Sequence, residues 1–207
     1  HHIELGAFYA GGVASLPVQA FQKHALITGF TGSGKTTTIL NILHQFWLEH
    51  NIPFLVIESA KKEYRGFLAN PDFKKSLAIY TLGNETCAPL RLNPFELLPG
   101  MRVEAHTNRL QACFEAALPP LPFLPSILAE ALERVYKKFW WVLTDVCDPE
   151  RRCGRCFPRM TDFYEMVGQV ASDRKYAGEM KSNIIAATTG RIKQLLIGSV
   201  GLMFDTE

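Results

Sequence analysis

The chain has 207 residues, of which 47% are hydrophobic and 20% are charged, and its formal net charge at pH 7 is +2. This composition is typical of a globular protein long enough to bury a sizeable core, and the small net charge provides no electrostatic argument for nucleic-acid binding. The sequence has no apolar run that could span a membrane and no signal peptide. The chain has five cysteines, an odd number, which does not favour a disulfide framework. We therefore expect a reducing, cytoplasmic location.

Residues 1–23 are predicted to be a terminal segment. His1-His2, without an initiator Met, has the character of an affinity-tag remnant. The stretch 3–22 contains two short apolar pieces around Gly11-Gly12, which predict either an edge hairpin or the tail of an upstream domain.

A phosphate-binding loop motif comes next. Gly29-Phe-Thr-Gly-Ser-Gly-Lys-Thr36 matches G-x-x-x-x-G-K-[ST] at every fixed position, between a predicted buried strand at 24–28 and a predicted helix at 36–50. Glycines let successive backbone N–H groups point at phosphate oxygens, and the helix presents its positive end to the same anion. Lys35 is predicted to reach the β- and γ-phosphates, and the Thr36 hydroxyl is predicted to ligate Mg²⁺. The predicted nucleotide-binding residues are Gly29, Thr31, Gly32, Ser33, Gly34, Lys35, Thr36 and Thr37.

Two further apolar runs follow the helix. Residues 53–57 predict a second buried strand that ends at Glu58, residues 61–68 predict a short helix, and residues 77–80 predict a third strand. Strands that alternate with helices at this spacing favour a mostly parallel α/β sheet flanked by helices. We therefore predict a phosphate-loop α/β core over residues 24–100.

The rest of the sequence is predicted to be a helical insertion over residues 101–198. Its helices are predicted at 103–117, 127–141, 161–171 and 181–197. Four prolines in 118–125 interrupt the helical pattern, and Ser126 and Thr161 are the predicted N-caps. Residues 199–207 are predicted to begin a further core segment, and the remaining strands of the sheet are expected beyond the end of this sequence.

Two carboxylates follow the second predicted strand. Ligands collect at the carboxyl ends of strands in open α/β sheets, so Glu58, at the end of the second strand, is a candidate for hydrogen-bonding an attacking water or a neighbouring group. The alternative is a solvated strand end beside a surface helix, which the spacing alone favours.

Two other segments have both a functional and a structural interpretation. Arg91-Leu-Asn93-Pro94-Phe95 combines a cation, an Asn-Pro turn signal and an aromatic anchor, and its composition favours a loop that closes over the sheet. Arg191 lies in the middle of a predicted helix, where it is either a phosphate-sensing arginine or an exposed helix residue.

A cysteine-bearing segment, 144–160, is predicted to be a loop. Cys147, Cys153 and Cys156 have the spacing C-x5-C-x2-C, which allows a weak zinc site that lacks a fourth nearby ligand. Free thiols or an adventitious disulfide are favoured instead. The surrounding sequence is locally basic, and a solvated face is favoured over a binding surface for Arg134, Lys137, Lys138, Arg151, Arg152, Arg155 and Arg159.

Taken together, these segments resemble the HerA–FtsK superfamily and, more narrowly, the HerA-like ATPases, relatives of conjugative and type IV secretion ATPases. The resemblance covers most of residues 26–205. Its segments are His24-Ala-Leu-Ile-Thr-Gly-Phe-Thr-Gly-Ser-Gly-Lys-Thr-Thr37, Ile57-Glu-Ser-Ala-Lys-Lys-Glu-Tyr-Arg65, Leu90-Arg-Leu-Asn-Pro-Phe-Glu96 and Arg191-Ile-Lys-Gln-Leu-Leu196. The phosphate loop is shared by many families. The next two segments, occurring in this order, narrow the resemblance to the HerA-like ATPases.

The resemblance implies a RecA-like core, Mg²⁺-dependent ATP hydrolysis and a ring, usually a hexamer. It implies a motor that moves duplex DNA, often beside a partner nuclease in repair or phage defence. Lys35 and Thr36 correspond to the residues at the phosphates and Mg²⁺, and Glu58 and Glu63 are candidates for the acidic cluster near the γ-phosphate.

The sequence departs from the family pattern in two respects. The second acidic strand of the family, four apolar residues followed by Asp-Glu, is not found after the loop, and Arg191 is the one arginine proposed as a finger. We therefore expect these 207 residues alone to hydrolyse ATP slowly. Three functions remain open: a DNA translocase, a secretion or conjugation motor, and a nucleotide-dependent regulatory switch.

Overall fold

The structure, a computed structural model, describes residues 1–58, 62–148 and 156–206. The chain divides into two compact units, His1–Ile79 and Tyr80–Glu207. The first unit contains the phosphate-loop motif and the second is mainly helical. The domain boundaries predicted near residues 100 and 198 stay predictions.

The first unit begins with an antiparallel hairpin of β1, His2–Ala7, and β2, Val13–Pro17. The hairpin is attached to a helix, because the Gln45 side chain accepts a hydrogen bond from the Glu4 N–H at 2.7 Å and donates one to the Glu4 carbonyl at 2.8 Å. Ile3 is fully buried. The hairpin predicted as one interpretation of residues 3–22 is therefore formed, and its place at the edge of a larger sheet stays a prediction.

The helix that carries Gln45 is α1, Lys35–Leu48, which confirms the helix predicted at 36–50 to within two residues at either end. The short helix predicted at 61–68 is a 3-10 helix at Tyr64–Ala69, followed by α2, Pro71–Lys74. An aromatic cluster packs this region, since the Phe67 ring lies 4.6 Å from the Phe73 ring and 5.8 Å from the Phe54 ring, between centroids.

The predicted mostly parallel sheet is not formed by the described residues, in which the β1–β2 hairpin is the only sheet of named strands. Residues 24–28, 53–57 and 77–80 contain no assigned strand. Leu26 is 87% exposed and Leu55 and Ile57 are each 86% exposed, so the prediction that the first two are buried strands is wrong. A strand forms only when another chain segment satisfies its backbone hydrogen bonds, and an apolar run does not reveal whether that partner is present.

The second unit consists mainly of helices, and none in the described part of the chain is long and apolar enough to cross a membrane. They are α3, Val103–Ala117; α4, Leu124–Lys138; α5, Met160–Asp173; α6, Gly178–Lys193; and α7, Gly198–Phe204, with a 3-10 helix at Gln194–Leu196. The prediction of α3 is confirmed at both ends. Residues 199–207, which were predicted to begin a further core segment, lie largely in helix α7. The two glycines of this helix did not suggest helical structure.

Two predicted N-caps are wrong. Helix α4 starts at Leu124, before Ser126, and Pro125 lies in its first turn. An N–H in the first turn has no acceptor within the helix, so the missing N–H of proline costs no hydrogen bond there. Helix α5 starts at Met160, where the Asp162 carboxylate accepts the Arg159 N–H at 3.1 Å. Thr161 instead donates its N–H and hydroxyl to Asp205 at 3.0 and 2.5 Å, which joins the start of α5 to the end of α7.

The core of the second unit lies between α3, α4 and α5. Phe163 is fully buried, and its ring lies 5.1 Å from the Phe114 ring and 5.4 Å from the Phe95 ring, between centroids. The Tyr136 hydroxyl donates to the Phe95 carbonyl at 2.6 Å, and burial raises the pKa of this tyrosine far above its usual range.

Helix α4 ends in a left-handed turn that is occupied by a tryptophan. Trp140 has φ +66°, and its N–H donates to the Lys137 carbonyl while the Trp141 N–H donates to the Tyr136 carbonyl, both at 3.0 Å. This is a Schellman motif with tryptophan at the position that usually holds glycine. Trp140 is 83% exposed, whereas Trp141 is buried and stacked on Phe157.

Candidate functional site

The candidate site is built around the loop 29–34, whose glycines hold conformations that other residues adopt with strain. Gly32 has φ +82° and Gly34 has φ +88°, both in the left-handed region. A Cβ atom on Gly29 would lie 2.4 Å from the Ser33 hydroxyl oxygen. The Ser33 N–H donates to the Phe30 carbonyl at 3.1 Å, which closes the turn.

The Lys35 ammonium group folds back over this loop. Its Nζ donates to the Gly29 carbonyl at 2.9 Å and to the Phe30 carbonyl at 2.6 Å. The loop therefore holds a positive charge beside its own backbone, where a phosphate group bound by the loop would meet it.

The start of α1 adds to this anion site. Gly34 is the N-cap and has no side chain to occupy the first-turn N–H groups, so these remain available to an anion at the positive end of a helix of 14 residues. Thr36 is half-buried in the first turn, and it is Thr38, one turn on, whose hydroxyl donates to the Gly34 carbonyl at 3.1 Å. An ammonium group, backbone amides and a hydroxyl fit a nucleotide polyphosphate with Mg²⁺, and the assignment of Lys35 to the phosphates and of Thr36 to the metal stays a prediction.

A hydrogen bond joins the two candidate acidic residues of the first unit. Glu58 Oε1 accepts a hydrogen bond from the Glu63 N–H at 2.7 Å. Burial, followed by the nearby Glu58 and Glu63 carboxylates, raises the pKa of the Tyr64 hydroxyl above its usual value. Tyr64 is the neighbour that the sequence analysis did not single out, although its position directly after Glu63 was visible in the sequence.

Arg191 lies in the second unit, on α6, and its guanidinium group is bound to backbone. Its Nε donates to the Pro119 carbonyl at 3.1 Å and its Nη1 donates to the Ala187 carbonyl at 2.9 Å. These bonds attach α6 to the proline-rich segment 118–125. They support a structural role, and the finger role stays a prediction.

Comparison with known proteins gives the family. The family described as "Helicase HerA, central domain" matches residues 3–140, which is about two thirds of the chain. The chain belongs to this family. No curated protein matches significantly.

Among solved structures, the chain of this HerA-family protein is similar to VirB4 of Thermoanaerobacter pseudethanolicus. The TM-score is 0.67 with 18% sequence identity, and the match covers 98% of this chain. This likeness shows a shared fold. The chain spans about half the length of that VirB4 chain, 52%.

The Asn93-Pro94-Phe95 segment of this HerA-family chain is a buried structural anchor in the helical unit. Asn93 Nδ2 donates to the Pro158 carbonyl at 3.0 Å, and Asn93 Oδ1 accepts the Phe95 N–H at 3.0 Å. The His106 Nε2 lies 3.0 Å from the Pro94 carbonyl, and burial lowers the pKa of this histidine. This segment was expected to be a loop that closes over the sheet. It lies in the helical unit instead, so the expected location is wrong, whereas the expected structural role of the segment is supported.

We expect Asn93→Ala to lower the free energy of unfolding by about 2–4 kcal/mol, because the Phe95 N–H and the Pro158 carbonyl would be left buried without this partner. Urea denaturation followed by far-UV circular dichroism would measure the change. Asn183→Ala, at an exposed position of α6, is the control and should change the value by less than about 0.5 kcal/mol. Equal effects of the two substitutions would contradict the anchor role.

The cysteine and basic residues give a mixed outcome. Among the described residues, no three His, Cys, Asp or Glu side chains are placed to hold a metal ion; Cys153 lies outside these residues, so the zinc site stays a prediction. Cys147 is half-buried and Cys156 is exposed.

The described lysines and arginine of α4 form ion pairs, which supports a solvated face: Arg134 with Glu130 and Asp173, Lys137 with Glu133, and Lys138 with Asp162. Arg151, Arg152 and Arg155 lie outside the described residues.

Proposed function

We propose that this chain is the ATP-binding and ATP-hydrolysing motor domain of a HerA-like DNA translocase or helicase, in DNA repair or phage defence. The observation that carries the proposal is a complete phosphate loop, with its lysine and helix N-terminus in place, inside a HerA central-domain match that covers residues 3–140.

The proposed reaction is transfer of the γ-phosphoryl group of ATP to water. Lys35 exchanges its hydrogen bonds to the Gly29 and Phe30 carbonyls for bonds to the β- and γ-phosphate oxygens. Backbone N–H groups of the loop and of the first turn of α1 bind the same oxygens. A bound Mg²⁺ supplies further neutralisation of phosphate charge, with the Thr36 hydroxyl as a ligand from this chain.

The proposed setting of this motor follows from the same resemblance. We propose duplex DNA as the polymer that is moved, a homo-hexameric ring as the assembly, a nuclease or defence effector as the partner, and the cytoplasm as the location. In such a ring an arginine from the neighbouring subunit would complete each site.

The test is ATP hydrolysis by the complete protein that contains this sequence, with and without duplex DNA, at fixed salt concentration. We expect DNA to raise the turnover rate severalfold, because a translocase couples each hydrolysis cycle to movement on its polymer. Lys35→Ala is the control for contaminating ATPases and should remove both rates. Turnover that is indifferent to DNA would contradict the translocase proposal.

A second candidate is a secretion or conjugation motor of the type IV class. The observation that favours it is the likeness in fold to VirB4 over 98% of this chain. The DNA experiment separates the translocase from a secretion motor that moves protein, since such a motor predicts hydrolysis that responds to a protein partner and does not require duplex DNA.

A further inference from the structure

The β1–β2 hairpin lies along helix α1 and points towards the N-terminal end of that helix. The His2 carbonyl oxygen lies 3.1 Å from the Nε2 atom of His50, just after the end of α1. Two residues further on, the Glu4 carbonyl accepts hydrogen bonds from the Asn41 amide at 2.9 Å and from the Gln45 amide at 2.8 Å. Strand β1 therefore runs antiparallel to α1, from the end of the helix back towards its start.

The length of the hairpin brings its tip, residues 8–12, level with the phosphate loop. From the middle of 41–45 to Lys35, α1 spans about 12 Å at about 1.5 Å per residue. From Glu4 to Phe8 the strand spans about 10–13 Å, which allows for the register shift between Glu4 and Gly6. The hairpin tip and the loop 29–34 thus lie at the same end of α1.

The hairpin is fixed on α1 at its base and closed at its tip. Phe21, in the 3-10 helix Val18–Gln22 that follows β2, packs edge-on against Phe46 of α1, with 5.3 Å between the ring centroids. The Phe8 N–H donates to the Gly12 carbonyl at 2.9 Å, and the Gly11 N–H donates to the Phe8 carbonyl at 3.0 Å. Gly11 has φ +90° and Gly12 has φ +98°, conformations that favour glycine. The tip is therefore a closed turn with a defined position.

This turn presents two aromatic side chains to solvent, Phe8 and Tyr9, which we call the aromatic tip. Phe8 is 60% exposed and Tyr9 is 110% exposed, so both faces of the tyrosine ring are open. Exposed aromatic rings are stacking surfaces for flat π-systems, and they lose unfavourable contact with water when such a partner covers them.

A nucleotide bound at the phosphate loop would have one part that the loop is not suited to hold. The loop amides, the Lys35 ammonium and the start of α1 are polar and suit the phosphates. The base is flat, has an apolar face and lies at the opposite end of the nucleotide from the γ-phosphate. Proteins commonly bind bases by stacking them on aromatic side chains, so a base needs a second surface near the loop.

We propose that the aromatic tip is the base-binding part of the nucleotide site, where the adenine ring of bound ATP stacks on the exposed rings of Phe8 and Tyr9. The proposal rests on the proposed ATPase function, because the loop has to hold the phosphates for the base to reach the tip. It predicts that the tip contributes to the binding of nucleotides and contributes nothing to the binding of phosphate groups alone.

The test measures binding of Mg-ATP and of Mg-tripolyphosphate, which has neither ribose nor base, to the complete protein that contains this sequence, by isothermal titration calorimetry. The variant with Phe8→Ala and Tyr9→Ala should raise the Kd for ATP about 10-fold. Its Kd for tripolyphosphate should change less than about twofold, which also shows that the loop remains folded.

Two controls are matched to this variant. Phe8→Tyr combined with Tyr9→Phe keeps two aromatic rings at the tip and should leave both Kd values within about twofold of wild type. Tyr80→Ala removes a tyrosine that is 60% exposed in the second unit, and it should likewise leave both values unchanged.

The inference is wrong if the double alanine variant binds ATP as tightly as wild type does, or if its binding of ATP and of tripolyphosphate weakens equally. Wild-type protein that binds tripolyphosphate as tightly as ATP would also contradict it, and this comparison remains available if the alanine variant does not fold. Wild-type protein that binds neither ligand would overturn the proposed ATPase function itself. ATP binding that Lys35→Ala weakens and the alanine tip does not would overturn this inference alone.

Discussion

Replacing Lys35 with alanine is expected to lower the rate of ATP hydrolysis by about 100-fold or more, because a preorganised donor at developing phosphate charge typically contributes this much. The Lys35 ammonium lies on the loop backbone, through bonds to the Gly29 and Phe30 carbonyls at 2.9 and 2.6 Å. Steady-state hydrolysis at saturating Mg-ATP, together with equilibrium binding of a fluorescent ATP analogue, would measure the change.

A loss of activity has to be separated from a loss of folding. The loop carbonyls that Lys35 binds are exposed, so water replaces its hydrogen bonds and the melting temperature should change little. Lys23→Ala, an exposed lysine before the loop, is the control for charge and should retain activity. A Lys35→Ala protein that keeps more than half of the wild-type rate would contradict the assignment of this loop.

Replacing Phe163 with alanine is expected to lower the free energy of unfolding of the helical unit by about 3–5 kcal/mol. Phe163 is fully buried and its ring contacts both Phe114 and Phe95, which lie on different segments of the core. Alanine would lose the transfer free energy of the ring and leave a cavity that these neighbours cannot fill. Urea denaturation is the measurement.

The matched control for Phe163 is Met180→Ala, since Met180 is 62% exposed on α6. This substitution should change the free energy of unfolding by less than about 0.5 kcal/mol. A cost below about 1.5 kcal/mol for Phe163→Ala would mean that the site collapses around the missing ring, and the packing between α3 and α5 would need revision.

The parts of the molecule that the sequence predicted well are those fixed by local interactions. Helix α3 was predicted at both of its ends, and the proline-rich stretch that follows it marks its C-terminal end. The left-handed backbone at Gly32 and Gly34 is a local property that agrees with the glycines of the predicted loop at 29–34, whereas phosphate binding by this loop stays a prediction.

The parts that were predicted poorly depend on distant partners. The run at 53–57 has strand-forming residues, yet Leu55 and Ile57 are exposed and no strand forms there. Asn93 looked like a local turn signal, but its amide binds the Pro158 carbonyl, 65 residues away. Likewise, the Glu58 bond to the Glu63 backbone depends on how the intervening chain turns, which the spacing of the two glutamates did not specify.

The left-handed turn after α4 places two adjacent indoles in opposite environments. Trp140 faces solvent, whereas Trp141 stacks on Phe157 and donates its Nε1–H to the Cys156 carbonyl at 3.1 Å. The chain has three tryptophans, and the other, Trp47, lies on α1 in the first unit. A protein with Trp47→Phe and Trp140→Phe would therefore retain one fluorophore, whose emission shifts to longer wavelength only when the helical unit opens. The chain thus carries a built-in optical reporter that distinguishes unfolding of its second unit from events at the phosphate loop.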